Sequence, residues 1–145
     1  MFVGIVMLDA WIGNSDRHDR NLEIVKSADG SVYLSPVFDN GNSLGATEKP
    51  EVRASISVSD YSKRYNEACF TSGERELTGF DTFEIAAMIR PQASIVWLEK
   101  LSLITSQQID RIFEKIPNER ISIDARLFAK QLLKYNSYEL LNLSR

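Results

Sequence analysis

The sequence predicts a mainly α-helical domain with one small β-hairpin. Three observations lead there. Apolar residues recur at helical spacing near the start of the chain and again from residue 81 onward. Two short β-like runs flank an Asp-Gly turn. The chain has 145 residues, 43% of them hydrophobic and 26% charged, which suits one soluble core.

Phe2 to Ile12 reads as a helix because Val3, Val6, Met7 and Ala10 fall at i, i+3, i+4 and i+7. Gly13-Asn14 is a helix-ending pair, and a polar loop follows it. Leu22 to Lys26 and Val32 to Val37 read as two strands of a hairpin, joined by Ser27-Ala28-Asp29-Gly30-Ser31. Phe38 to Gly45 reads as a second loop. Residues 46 to 80 are polar and weakly periodic, and read as irregular with one short helix near Tyr61 to Ala68. Asp81 with Glu84 resembles a capping box opening a helix that ends near Arg90-Pro91. Ala93 to Leu103 is the next helix. Thr105 with Gln108 caps another, striped by Ile109, Ile112, Phe113 and Ile116 and ended by Pro117-Asn118. Ser122 or Asp124 begins the last helix, on which Phe128, Leu132 and Tyr135 align with Ala129 and Leu133. These stripes read as core packing, as do Trp11 and Trp97.

The formal net charge is −3, which speaks against a nucleic-acid binder and against acidic membrane surfaces. Cys69 is the only cysteine, so no intrachain disulfide can form; a reducing cytoplasm fits, and the thiol reads as a small buried group. The apolar opening Met1 to Gly13 does not read as a signal peptide, since it carries Asp9, lacks a basic start and is followed by no small-residue cleavage site. No run approaches the roughly 20 apolar residues needed to span a bilayer.

The chemistry concentrates in Asn14-Ser15-Asp16-Arg17-His18-Asp19-Arg20-Asn21 and Val37-Phe38-Asp39-Asn40-Gly41. Phosphoryl transfer requires an aligned hydroxyl and metal ions that neutralise phosphate oxygens. Mg²⁺ prefers carboxylate and amide oxygens and keeps several waters, so one Asp plus one Asn or Asp suffices on the protein side. Asp16 can accept and orient a substrate hydroxyl. Asn21 and Asp39, at the two ends of the hairpin, can reach one metal site because antiparallel strands place their ends together.

Ile12 to Asn21, followed by Leu34-Ser35-Pro36-Val37-Phe38-Asp39-Asn40-Gly41-Asn42-Ser43-Leu44-Gly45, resembles the C-terminal half of HipA-like serine/threonine kinases. The Asp-Arg-His-x-x-Asn core also occurs in phosphatidylinositol kinases. The tail from Ile116 through Phe128-Ala129-Lys130-Gln131-Leu132-Leu133 is similar to the closing helices of HipA-like proteins. The resemblance implies the C-terminal lobe of a protein-kinase-like fold over residues 1–145, with catalytic and metal loops at 13–45 and a helical subdomain at 81–145. It implies ATP and Mg²⁺ as cofactors, Asp16 as the catalytic Asp, and Asn21 and Asp39 as the Mg²⁺ ligands that hold the nucleotide. Asn14, Arg17 and His18 would support the loop; His18 as a general base is the less favoured alternative. The implied acceptor is a protein Ser or Thr hydroxyl, and the bacterial kinases of this kind resemble toxins restrained by a DNA-binding antitoxin-like partner.

That family carries a glycine-containing phosphate loop and a phosphate-pairing Lys ahead of the Asp, whereas fifteen residues precede Asp16 and none is Lys. The expectation is that the N-terminal ATP-binding lobe is absent, with a longer chain or a separate N-terminal lobe completing the site. The alternative is a truncated or split module that binds a protein partner without catalysis, and a lipid-kinase fragment is a third reading. Arg53, Lys63, Arg64 and Arg75 are candidates for reading acidic or phosphorylated partners, although a solvated loop is the simpler expectation. Glu114, Lys115, Glu119 and Arg120 read as a solvated face.

Overall fold

The computed structural model describes residues 1–65 and 67–143, with the side chains of all of these except 64, 65 and 67–69. Helix α1 spans Phe2–Ile12, and its residues Val3 to Met7, Asp9 and Ala10 are buried. A helix apolar on nearly every side belongs inside a bundle, and α1 packs against three others: α4 (Gly79–Ile89), α5 (Pro91–Ser102) and α7 (Ile123–Asn142). Val6, Met7, Ala10, Phe83, Leu101 and Leu140 form the centre of that core. Each of these side chains except Ala10 contributes about 1.5–3 kcal/mol when fully buried. The exposed large apolar side chains at this end of the chain are Met1 and Phe2.

Gly13 ends α1 in the left-handed conformation at φ 63°, where a side chain is strained, and a Cβ there would also stand 3.3 Å from Leu132. Beyond the loop and a single 3₁₀ turn at Asp19–Asn21, strands β1 (Ile24–Lys26) and β2 (Val32–Leu34) pair antiparallel with Ile24 opposite Leu34. This is the expected hairpin, shorter at both ends, closed by the Ser27 amide donating to the Ser31 carbonyl at 2.9 Å.

The segment read as irregular is ordered. It holds α2 (Pro50–Ser55), α3 (Val58–Tyr65) and a second antiparallel hairpin, β3 (Glu67–Ser72) with β4 (Arg75–Thr78). The expectation of one hairpin is therefore corrected to two, and the helix expected to run to Ala68 stops at Tyr65. The turn at Gly73, φ 65°, joins β3 to β4, which buries Leu77 and leaves Arg75 and Glu76 exposed. The helical region also begins before residue 81. Thr78, not Asp81, caps α4, and Asp81 fills the third position of the capping box.

Helix α6 (Ser106–Glu114) opens on the expected Thr105–Gln108 box, and Ser122 is the cap of α7. Ile109 and Phe113 of α6 pack on Ala129 and Leu133 of α7, while Ile112 faces solvent instead of joining that stripe. Tyr61 of α3 meets Phe128 edge to face at 5.0 Å. Trp11 and Trp97 are partly buried against the main core, and the Trp11 indole donates to the Leu133 carbonyl and Ser137 Oγ. The cluster Glu114, Lys115, Glu119 and Arg120 is exposed as expected. Cys69, expected to be a buried thiol, lies outside the described side chains, as does Arg64. Among the described residues no helix is long and apolar enough to cross a membrane.

Candidate functional site

An acid on the central helix organises both loops. Asp9 is buried on α1 and receives Asn14 Nδ2 on Oδ1 at 2.8 Å. The same carboxylate takes two parallel hydrogen bonds from Arg17: Nε to Oδ2 and Nη2 to Oδ1, each 2.8 Å. Arg17 is 1% exposed. A bidentate pair of this kind fixes orientation as well as charge. Its hydrogen bond to Asp9 raises the Arg17 pKa; burial opposes this, and the charges of Asp9, Asp39 and Asp16 reinforce it. The guanidinium therefore stays charged, and breaking the pair would strand a buried charge.

The rest of the Arg17 guanidinium ties the two loops together. Nη1 donates to the carbonyl of Asn21 at 3.1 Å and to that of Phe38 at 2.9 Å. Nη2 also donates to Asn40 Oδ1 at 2.6 Å. One side chain thus binds the backbone of Asn21 and both neighbours of Asp39. Pinned on either side, Asp39 takes a left-handed backbone, φ 53°, and is exposed. A third tie runs from the Leu44 amide to the Ile12 carbonyl, 2.8 Å.

Asn14 is the second organiser. Its Oδ1 accepts from the Asp16 amide at 3.1 Å, so the residue bridges α1 to the Asp16 loop. Asn21 Nδ2 donates to the Asp16 carbonyl at 2.9 Å. A carbonyl can only accept, so the amide NH₂ must face it and Asn21 Oδ1 faces the other way. That oxygen has no protein partner among the described residues. The Asp16 carboxylate is partly exposed; Oδ2 accepts from Asn42 Nδ2 at 2.9 Å, and Oδ1 stands 3.9 Å from His18 Nε2. His18 Nδ1 accepts from the Arg20 amide at 3.2 Å and caps the 3₁₀ turn, a loop-bracing position.

The six residues singled out from the sequence therefore meet in one region, held by Arg17 and Asn14. Asn21 Oδ1 and the Asp39 carboxylate are hard oxygen donors of the type Mg²⁺ takes, and two of them leave positions for water and phosphate. Among the described residues no group of three His, Cys, Asp or Glu side chains gathers to hold a metal. The residues that sequence reasoning missed are Asp9, Asn40 and Asn42. A lone acid inside an otherwise apolar helix was the available signal for Asp9, since such a group is buried only when paired. Arg53 also proves structural instead of solvated: its Nη1 donates to the carbonyls of Gly45 and Glu48 and so braces the end of the second loop. Arg75 pairs with Asp81 at 3.1 Å, and Lys63 is exposed.

No protein-family model matches the chain, and no curated protein or solved structure matches it.

Proposed function

We propose that this chain carries the catalytic and metal-binding loops of an ATP-dependent phosphotransferase of the HipA-like serine/threonine kinase kind, a C-terminal kinase-like lobe whose acceptor is a protein hydroxyl. The observation that supports it most is the double grip of Arg17 on the carbonyls of Asn21 and Phe38, which ties Asn21 and the residue before Asp39 to the loop that carries Asp16. Asn21 and Asp39 would hold Mg²⁺, which supplies neutralisation of phosphate charge when bound. Asp16, steadied by Asn42 and by its own amide on Asn14, would accept the hydroxyl proton and orient the oxygen for in-line attack. Arg17 would not touch substrate; it positions the others. The reading goes with a cytoplasmic protein, where ATP is present, and with a further lobe or partner supplying the adenine and phosphate-pairing contacts.

A second reading is a protein-binding module without phosphoryl transfer. It is favoured by the first hairpin, where Ile24 is 73% and Val32 62% exposed, with Tyr33 also uncovered. Apolar side chains gathered on so short an element suit a protein contact.

Calorimetry of ATP binding with and without Mg²⁺ separates the two. The phosphotransfer reading expects metal-dependent binding that Asp39→Ala abolishes and Asp16→Ala leaves in place, because only the former is a ligand. Binding absent from the folded wild-type chain, or unchanged by chelator and by Asp39→Ala, would leave the second reading standing.

A further inference from the structure

Behind the Asn40–Gly41 turn lies a cavity of about 520 Å³ that the phosphotransfer chemistry above does not use. Its walls come from the second loop, α2, the end of α6 and the start of α7. Arg53 and Arg120 are the charged residues lining it, and among the described residues no Asp or Glu does. Ser122 and Ala125, also in the lining, are the cap and first turn of the 20-residue helix α7. The N-terminus of such a helix carries partial positive charge, although the Ala125 amide is already taken by the Ser122 hydroxyl. Asp124, the acid of that turn, lines a different, smaller cavity on the Arg53 side.

Two wall residues hold polar atoms with nothing to bond. Ser43 is 6% exposed, and its Oγ lacks a hydrogen-bond partner; so does Arg53 Nε. Buried polar atoms are ordinarily satisfied, and exceptions call for a missing partner. The floor, by contrast, is apolar, with Phe113, Ile116 and Ile121. Two cations, a hydroxyl, a helix N-terminus and a greasy floor together suit an anion carried on an apolar body.

We propose that this cavity binds the phosphate of a phosphorylated Ser or Thr on a polypeptide, seating it beside the metal loop. A phosphate offers three acceptor oxygens to donors arriving from several directions, which a carboxylate does not. Arg120, exposed and in no ion pair among the described residues, supplies charge to the cavity. That the polypeptide is also the phosphoryl acceptor rests on the phosphotransfer reading; the anion pocket itself does not.

The test is an NMR titration of the ¹⁵N-labelled full chain without ATP or Mg²⁺, so that its outcome is independent of nucleotide binding. The probes are a short leucine-flanked phosphoserine peptide, its serine twin and inorganic phosphate. The phosphopeptide should shift the amides of residues 40–43 and 122–125 and bind about tenfold tighter than either other probe, as charge-assisted hydrogen bonds added to apolar contact require. Arg120→Ala should weaken it about tenfold with the melting temperature unchanged, and Ser43→Ala should weaken it by a smaller factor. Equal binding of the two peptides, no binding, shifts elsewhere, or an inert Arg120→Ala overturns the proposal. Inorganic phosphate binding as tightly as the phosphopeptide overturns it in favour of a free-anion site.

Discussion

Arg17 and Asp9 form a bidentate ion pair, two 2.8 Å hydrogen bonds to separate carboxylate oxygens, inside the protein and eight residues apart in sequence. The helix that carries Asp9 is the centre of the core, and the loop that carries Arg17 is the centre of the site. Removing one partner strands the other, so Arg17→Ala should cost about 3–5 kcal/mol of stability in urea denaturation. Arg17→Lys should recover little, because an ammonium cannot reach Asp9, Asn40 and two carbonyls at once. A lysine variant as stable as wild type would show that charge alone suffices.

Asp39 separates a ligand's role from a backbone's. Its φ of 53° lies where glycine is at ease and alanine is not. Asp39→Gly should therefore be more stable than Asp39→Ala by about 1 kcal/mol or more, although neither retains a carboxylate. If the proposed function is right, both lose Mg²⁺-dependent nucleotide binding equally. Thermal melts and calorimetry on the same two variants check both statements.

Asn136 sits at 0% exposure on α7, accepts from Ser62 Oγ at 2.7 Å and donates to the carbonyls of Ala10 and Trp11 at 3.1 and 3.0 Å. It satisfies carbonyls that the end of α1 would otherwise leave unpaired. Asn136→Leu keeps the volume and deletes the hydrogen bonds. Each buried group left unsatisfied costs about 1–3 kcal/mol, so the loss in denaturant midpoint should clearly exceed that of an asparagine-to-leucine swap at an exposed position.

Asp81 gives the acid limb of stability a local source. Partial burial pushes its carboxyl up, but the Thr78 amide and hydroxyl and the charge of Arg75 outweigh this and hold it below the usual range. A depressed carboxyl contributes stability above its unfolded pKa, about 4, and loses it as pH falls through the lower folded value. Asp81→Asn should thus melt a few degrees lower at neutral pH, and the gap should close in acid once the wild-type carboxyl is itself neutral. A gap that persists at the lowest pH would point to packing instead of charge.

What the sequence made legible was local. The α1 stop at Gly13, the Asp-Gly hairpin and the Thr105 and Ser122 caps depend on residues a few positions apart, and all four are present. The β3–β4 hairpin was not legible, because residues 67–72 and 75–78 lack a clear apolar-polar alternation in sequence and only Gly73 marks the turn. Thr78 was passed over as a cap because its partner is Asp81 where the usual box has Glu or Gln. In the site, the six residues picked from the sequence come together, and the bracing roles of Asn14, Arg17 and His18 were readable from it. The cause of their assembly was not, since the Arg17 contacts to Phe38 and Asn40 span more than twenty positions. Arg53 was read as solvated although its acceptors, the carbonyls of Gly45 and Glu48, lie only eight and five positions back; no residue type there signals that the side chain turns onto that backbone.

The anchoring of Arg17 on α1 has a consequence for motion. Loops without regular hydrogen bonding ordinarily open on their own, exchanging amide hydrogens long before the core does. Here Asn14 and Arg17 are bonded to a helix walled in by α4, α5 and α7. The stretch from Asn14 to Asn21 cannot swing away unless Asp9 gives up its partners, so its opening is coupled to the loss of the interior. Its amides should trade deuterium at the pace of the slowest helix, while those of the adjoining hairpin tip exchange early.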